Sequence, residues 1–290
     1  MMTTWELDFY SRPILDEKKK KLWEVLICER PAGIDSDIGD LFRFSKFCAS
    51  STVNSVWLRE AVEEAIAKAP ISPTRVCFFR RQMTNMITKA CEDAGLTVNI
   101  SRNTLALDHW LQRRMEDTYP KMEGYNANTS PSVAYPPSQP LPLPDALLGE
   151  QWAMVALEAA ALTEMPEWDI TFGGAFPLKL STVNDNTPIP GLIIYSSRAT
   201  PLAAWMSGLE LSSLNYQPAM GRIPARLVLE TGSADAWVIS PLSSDALKQE
   251  AQNFEAAKES ADDVHFLAIQ SGPDSEAFAG FWLLKELHLA

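Results

Sequence analysis

The amino-acid sequence predicts a mixed α/β protein in which two sheet-plus-helix domains are joined by a proline-rich linker. Its 290 residues exceed one average domain and suit two domains of roughly 100–150 residues each. Apolar residues make up 46% and charged residues 21%, so both domains can bury a core. Prolines crowd residues 120–144, where they disfavour helix and sheet alike. We therefore expect an N-terminal domain over residues 1–119, a linker over 120–144 and a C-terminal domain over 145–290.

The N-terminal domain is predicted to contain three strands followed by alternating helices and strands. Residues 5–13 alternate as a half-buried strand does, with Trp5, Leu7 and Phe9 on one side. Asn54 or Ser55 can cap a helix that runs to residue 69, and Gly95 can end the next helix. The predicted strands are 5–13, 21–28, 41–49, 75–79 and 96–100, and the later helices are 83–94 and 104–117. This order matches the ribonuclease-H-like topology, an analogy of fold that carries no chemistry by itself.

The C-terminal domain is predicted to open with an alanine-rich helix over residues 145–162, capped by Asp145. Two further helices are expected at 203–208 and 247–260. The predicted strands are 168–172, 191–196, 209–216, 226–230, 236–240, 265–270 and 277–287. The linker before this domain should be extended with polyproline II character, and a proline-rich ligand for a partner is the alternative.

The sequence indicates no membrane span, targeting segment or metal site. The longest apolar runs, residues 191–195 and 281–284, are far shorter than the ~20 residues that cross a bilayer. Residues 1–8 enter a strand pattern directly, so we expect a soluble protein that stays where it is made, unless an import segment was removed. The cysteines and histidines form no closely spaced ligand pair, which favours buried free thiols and no metal or other cofactor.

Charge is distributed unevenly along the chain. Residues 1–130 carry 18 basic and 18 acidic side chains, whereas residues 131–290 carry 7 and 19, which accounts for the whole net charge of −12. Phosphate groups are attracted by Lys and Arg and repelled by Asp and Glu, so an acidic chain is a poor candidate for autonomous nucleic-acid binding. If RNA binds, the contact is expected in the N-terminal region, and the acidic C-terminal domain is expected to meet protein partners.

The sequence favours a protein that binds over one that catalyses. A two-metal nuclease on the predicted topology needs carboxylates on the first strand, the first helix and the fourth strand. Asp8 and Glu60 satisfy the first two positions, but the fourth strand has no carboxylate and ends in Arg80 and Arg81. Phosphate-loop, dinucleotide, nucleophile-elbow and zinc-protease motifs are absent from the sequence. A Cys–His pair assembled in space, for example with His109, remains an alternative.

Three groups of residues are candidates for binding. The lysine run lies at a predicted hairpin turn, where it either meets phosphates or simply keeps the turn soluble. A second group of cations gathers near the strand end after residue 79, the kind of edge where α/β sheets bind ligands, or forms scattered surface ion pairs. The candidate RNA contacts are Lys18, Lys19, Lys20, Lys21, Arg80, Arg81, Arg102, Arg113 and Arg114. A third group, Phe281, Trp282, Leu283 and Leu284, is either a closing edge strand or an exposed contact for a protein partner.

Several stretches resemble one known family. The opening WELDFYSRPILDE at residues 5–17 and KLWEVLIC at 21–28 resemble the start of the Tab2/Atab2-like proteins of cyanobacteria and chloroplasts. GFWLL at 280–284 resembles the terminal Trp-Leu-Leu signature of that family, and GLIIYSSRATPLA at 191–203 is similar to it as well. The plant and algal members are translation activators for photosystem I reaction-centre messages. The resemblance spans the chain.

The resemblance implies an RNA-binding factor that acts on the 5′ untranslated region of a photosystem message and promotes translation and photosystem biogenesis. It implies the cytoplasm of a cyanobacterial cell, with a peripheral position at the thylakoid as an alternative, and the stroma for plastid relatives. It supplies no RNA-contact residues, so the basic positions above rest on the residues alone. The alternative function is an assembly or scaffold factor for photosystem I that contacts protein and not RNA.

Overall fold

The polypeptide divides into two units with separate sheets in the computed structural model, which describes residues 3–127, 139–144 and 147–288. Unit 1 comprises Met1–Pro31, Asp37–Pro136 and His288–Ala290, and unit 2 comprises Ala32–Ser36 and Pro137–Leu287. The mixed α/β class with two sheet-plus-helix domains is confirmed. The boundaries at residues 119 and 145 stay predictions, because much of the proline-rich linker and the predicted cap Asp145 lie outside the described residues.

Unit 1 contains a five-stranded sheet, and its strands and main helices follow one another along the chain in the order predicted from the sequence. The strands are β1 (Thr3–Leu15), β2 (Lys21–Glu29), β3 (Arg43–Cys48), β4 (Pro73–Phe78) and β5 (Thr97–Ile100). The helices are α1 (Ser55–Lys68), α2 (Thr84–Asp93) and α3 (Leu105–Arg113), the last continued by a π-helical turn over Arg114–Thr118. The sheet order is β3-β2-β1-β4-β5, with β1 antiparallel to β2 and parallel to β4, as in the ribonuclease-H-like topology.

The two faces of β1 bury different chemistry, because successive side chains of a strand point to opposite sides. Trp5, Leu7 and Phe9 lie in an apolar core with α1 and α2 and are at most 1% exposed. Glu6 and Asp8 point to the other side, where they are equally buried. The Leu107 N–H of α3 donates to Glu6 Oε2 at 2.9 Å, so α3 lies over this polar side of the sheet.

Local end signals place two helices of unit 1 as predicted. Asn54 caps α1, since its Oδ1 accepts the Trp57 N–H at 2.9 Å. Gly95 follows α2 with φ of +82°, a left-handed conformation that favours glycine. These two ends confirm the predicted cap and the predicted helix stop.

Unit 2 has two sheets around a shared apolar core. Its strands are β6 (Leu141–Pro142), β7 (Gln151–Glu158), β8 (Ile170–Gly174), β9 (Pro188–Tyr195), β10 (Leu211–Gln217), β11 (Arg226–Thr231), β12 (Asp235–Pro241), β13 (Val264–Gln270) and β14 (Phe278–Lys285). Its helices are α4 (Ala159–Leu162), α5 (Ala199–Ser207) and α6 (Asp245–Ser260). The sheet orders are β7-β9-β13-β14-β8 and β10-β11-β12-β6. Ile194 of β9, Leu229 of β11 and Phe254 of α6 belong to one buried cluster, which joins both sheets and the helix.

The predicted helix over residues 145–162 is wrong. Residues 151–158 form β7, which pairs antiparallel with β9 and places Trp152 opposite Ile194, and only Ala159–Leu162 is helical. The alanines favour a helix locally, but pairing with β9 and packing of Trp152 and Met154 on the core outweigh that preference. Part of the predicted linker is also ordered, because Leu141–Pro142 adds an edge strand beside β12.

The C-terminal apolar cluster is interior. β14 lies between β13 and β8, and Phe281, Trp282, Leu283 and Leu284 are at most 7% exposed. The expectation of a closing edge strand is wrong because β8 pairs along its outer side. Both faces are also buried, since Phe281 is 0% exposed, with its ring centre 5.3 Å from that of Trp168, and Trp282 on the other face lies in the shared core. The four side chains therefore form no exposed patch, and a partner contact at this place lacks the surface it requires.

Candidate nucleic-acid interface

The lysine turn, Lys18–Lys20, joins β1 to β2 and projects its side chains into solvent. Asp16 Oδ1 accepts the N–H groups of Lys18 at 2.9 Å and Lys20 at 2.8 Å, which holds the turn in one shape. Lys19 lies in the left-handed region with φ of 58°. The predicted candidate Lys21 begins β2 and is half-buried. A hydrogen-bonded turn thus presents three neighbouring ammonium groups at the end of the hairpin.

A groove of about 720 Å³ lies beside the lysine turn. Lys18, Lys20, Ser50 and Ser51 line it together with main chain at Gly124. Ammonium and hydroxyl groups are the donors that phosphate oxygens accept from. Three acidic residues also line the groove, namely Asp16, Glu17 and Glu123, so its carboxylates outnumber its two lysines. The exposed lysine side chains of the turn, and not the groove as a whole, are therefore the candidate phosphate contacts at this place.

Arg80 and Arg81, which the sequence places together, have different environments. Arg80 is 2% exposed, and its Nε and Nη2 donate to Asp8 Oδ1 at 2.5 Å and Oδ2 at 3.2 Å. Its guanidinium lies 4.0 Å from the centre of the Tyr10 ring. Arg81 is exposed. The expected surface patch that includes Arg80 is wrong, because a buried carboxylate on β1 holds this side chain inside unit 1.

The Arg80–Asp8 pair belongs to a buried ion network made of Asp8, Arg12, Glu24, Arg80 and Arg114. Arg12 bridges the two carboxylates, at 3.0 Å from Asp8 and 3.2 Å from Glu24. Arg114 pairs with Glu24 and donates to the Tyr119 hydroxyl at 3.2 Å, and its side chain is only 12% exposed. Arg114 therefore mainly stabilises the buried network, and it contributes little to the exposed basic surface.

Opposing effects set the pKa of each carboxyl group in this network. Burial alone would raise the pKa of Asp8, but the Arg80 and Arg12 guanidinium groups hold it below its usual value. Burial dominates at Glu24 and raises its pKa despite the neighbouring Arg12. Asp8, the carboxylate that a ribonuclease-H-like metal site would use, is thus charged and neutralised by two arginines. No group of three or more His, Cys, Asp or Glu that could hold a metal occurs in the part of the chain that the structure describes.

A second groove, of about 240 Å³, brings together cations and an aromatic ring. We call it the tryptophan groove, and its lining residues are Arg43, His109, Trp110, Arg113, Arg114, Asp117 and Thr118. Trp110 is half-buried, and Arg43 and Arg113 are exposed. The Arg114 guanidinium lies 5.5 Å from the centre of the Trp110 ring.

The sequence pointed to part of this groove only. Arg113 and Arg114 were candidates, and the helical spacing of Trp110 to Arg114 signals a shared face of α3. Arg43 starts β3, far away in sequence, and no local pattern connects it to α3. The candidate Arg102 is half-buried between β5 and α3, and it lines neither groove.

Comparisons with known proteins cover both domains. A family model described as "RNA-binding protein Tab2/Atab2 N terminal" matches residues 4–114, and one described as "RNA-binding protein Tab2/Atab2, C-terminal domain" matches residues 130–285. "Protein TAB2 homolog, chloroplastic" of Zea mays is 40% identical over 98% of this chain and 71% of the relative. Its namesake in Arabidopsis thaliana is 36% identical over 98% of this chain and 74% of the relative. Within the described residues, no helix is long and apolar enough to cross a bilayer.

Proposed function

The chain belongs to the Tab2/Atab2 family of RNA-binding proteins, and from this premise we propose that it binds the 5′ untranslated region of a photosystem reaction-centre message and promotes its translation. The observation that carries the proposal is that both family models match, together spanning most of the chain. The resemblance to translation activators for photosystem I messages supports the choice of message. Photosystem biogenesis is then the process that this protein serves.

RNA contacts are assigned to unit 1, because the exposed candidate cations lie there. The exposed cations that the sequence proposed are Lys18, Lys19, Lys20, Arg81 and Arg113, and the tryptophan groove adds Arg43. Residues 131–290 carry 7 basic and 19 acidic side chains, and this excess of negative charge repels a phosphate backbone. The acidic C-terminal region is assigned to protein partners for the same reason.

We propose that this activity is binding without catalysis. The carboxylate of Asp8 is 0% exposed and is paired with Arg12 and Arg80, so it is not offered to a metal or a substrate. The cellular site that fits the proposal is the cytoplasm of a cyanobacterial cell or, for plastid members, the stroma. A peripheral position at the thylakoid would require a membrane-facing surface.

The alternative function, a photosystem I assembly factor that contacts protein alone, no longer has the C-terminal apolar cluster as its contact surface. Unit 2 exposes other large apolar side chains, and two of them, Met220 and Ile223, lie together at one turn. Met220 and Ile223 exchange two backbone hydrogen bonds of 3.0 Å across a tight turn and are 72% and 42% exposed. The alternative would place its protein contact at this turn.

The lysine turn provides the test of RNA binding. Replacing Lys18 and Lys20 with glutamine is expected to weaken binding to a 5′ untranslated transcript and to flatten its salt dependence. For single strands, the slope of log affinity against log salt falls by about 0.7 for each lost phosphate contact, so a change of about 1.4 is expected. Binding of the full chain is measured by fluorescence anisotropy across a salt series.

A matched control removes the same number of positive charges from a different surface of unit 1. Lys68→Gln/Lys89→Gln removes two exposed lysines from α1 and α2 of the same unit, and it should leave the salt slope unchanged. Equal effects of both double variants would contradict a site at the lysine turn. Failure of the wild-type chain to prefer the transcript over a scrambled one would contradict the choice of message, and no binding to either would overturn RNA binding altogether.

A further inference from the structure

The tryptophan groove contains a ring whose position is fixed by the buried ion network. Trp110 lies in the last turn of α3, and Arg114 lies one helical turn later with its guanidinium 5.5 Å from the ring centre. Arg114 cannot swing away freely, because it also pairs with buried Glu24 and donates to the hydroxyl of Tyr119. The half-buried indole is therefore held in place before any ligand arrives, and it loses little conformational freedom on binding.

Two exposed arginines flank this ring. Arg113 precedes Arg114 on the helix, and Arg43 enters from the start of β3. The Arg43 Nη2 donates to the Ile38 carbonyl at 2.7 Å, which positions its guanidinium and uses one of its five N–H donors. Planar guanidinium groups bind phosphate oxygens through paired hydrogen bonds. Asp117 is the one carboxylate in the lining, so the groove is cationic within a nearly neutral region.

The size and composition of the groove identify the class of ligand. A volume of about 240 Å³ corresponds to roughly eight water molecules at ~30 Å³ each, which suits one nucleobase and excludes a paired helix. Bases of unpaired RNA stack on aromatic rings and on guanidinium planes, and cations follow their phosphates. An acidic peptide would use the arginines, but it would gain little from the indole.

We propose that the tryptophan groove binds one unpaired nucleotide of the RNA, with the base stacked on Trp110 and the adjacent phosphates bound by Arg43 and Arg113. This assignment rests on the proposed function, and it adds a requirement for single-stranded RNA. It also gives the buried ion network a functional consequence, since Glu24 orients Trp110 by holding Arg114. Glu24 is thus a positioning residue for the groove.

The test compares Trp110→Leu with Trp110→Phe in the full chain. Stacking contributes about 1–3 kcal/mol per base, so the leucine variant is expected to bind a short unstructured RNA about 5- to 150-fold more weakly. The phenylalanine variant should stay close to wild type, because it keeps an aromatic face. Neither variant should change binding to the same RNA annealed to its complement. Arg43→Gln/Arg113→Gln should instead reduce the salt slope by about 1.4.

Each outcome bears on one proposal. Equal affinity of the leucine and phenylalanine variants for the single strand, beside normal wild-type binding, would overturn the nucleotide site while leaving RNA binding intact. If wild-type protein binds no RNA, the proposed function itself is contradicted. The thermal midpoint of Trp110→Leu checks its folding, and if that variant unfolds, the exposed arginine variants decide the question. Ultraviolet crosslinking of the RNA to the α3 peptide that contains Trp110 is the independent positive result.

Discussion

Replacing Arg80 with leucine is expected to lower the free energy of unfolding of unit 1 by about 3 to 5 kcal/mol, because it leaves a buried carboxylate without one of its two cations. Asp8 is 0% exposed and accepts two hydrogen bonds from Arg80, at 2.5 and 3.2 Å. Leucine fills part of the space beside Tyr10 and Phe79, so the loss reports the ion pair more than a cavity. Urea-induced unfolding measures the change, and hydrogen exchange of the β1 and β4 amides locates it.

The neighbouring arginine is a matched control for this experiment. Arg81 is exposed, and its replacement by leucine is expected to change stability by about 0.5 kcal/mol or less. Asp8→Leu/Arg80→Leu removes both charges, and it should be less destabilised than Arg80→Leu alone. A stability of Arg80→Leu equal to that of Arg81→Leu would show that the ion pair contributes nothing. RNA binding by a joint Arg80 and Arg81 variant would mix loss of fold with loss of contact, so the two positions require separate variants.

Acid is expected to destabilise unit 2 through His265. Burial lowers the pKa of this imidazole to about 3, with the nearby Lys258 ammonium adding to the effect. Its Nε2 accepts the Leu214 N–H at 2.9 Å, and its Nδ1 lies 2.9 Å from the Asp263 carbonyl, which fixes the neutral form. In the unfolded chain the pKa of histidine returns to 6.5, so only the unfolded state takes up a proton between these values.

The difference between the folded and unfolded pKa values of His265 sets how the free energy of unfolding changes with pH. Stability from neutral His265 is fully present above pH 6.5 and is lost as pH falls toward 3, by about 1.4 kcal/mol per pH unit. Between pH 7 and 4.5 the loss is therefore roughly 2.5 to 3 kcal/mol. His265→Gln keeps an acceptor for the Leu214 N–H and cannot titrate, so its stability should fall less over the same range. The free energies of unfolding of both proteins are measured as a function of pH.

The difference between wild type and His265→Gln isolates the histidine from other titrating groups. Asp8 has a pKa below its usual value, and its contribution is lost only at more acidic pH. Burial raises the pKa of Glu6 and Glu24, so their protonation opposes the loss. These groups are the same in both proteins. Parallel pH profiles of the two proteins would refute the role of His265.

Most elements of secondary structure follow from local patterns, and the exceptions share a cause. The alternation of Trp5, Leu7 and Phe9 predicts β1, and the cap at Asn54 predicts the start of α1. The alanine-rich segment after residue 150 is predicted as a helix, yet it forms β7 because β9 supplies a pairing partner 30 to 44 residues later. Local propensity amounts to fractions of a kcal/mol per residue, and tertiary packing outweighs it.

The residues of the candidate site also differ in whether local sequence could identify them. Composition assigned most of the cations to the N-terminal region, and the hairpin pattern placed the lysine run at a turn. In the structure Lys18, Lys19 and Lys20 lie at that turn, and Lys21 begins β2. The sequence could not show that Arg80 is buried and Arg81 exposed, because the ion-pair partner of Arg80 is Asp8, 72 residues earlier. It also could not bring Arg43 to Trp110, since one starts a strand and the other ends a helix.

The sequence by itself thus determined the family, the α/β class, the order of elements in unit 1 and the unequal distribution of charge. These properties depend on composition, on motifs and on periodicity within one segment. Tertiary structure alone decided which arginines are buried, that the C-terminal apolar cluster lies inside a sheet, and that a cationic groove surrounds Trp110. Each of those properties depends on pairs of residues far apart in the chain, whose contact free energy exists only after the sheets and helices have packed.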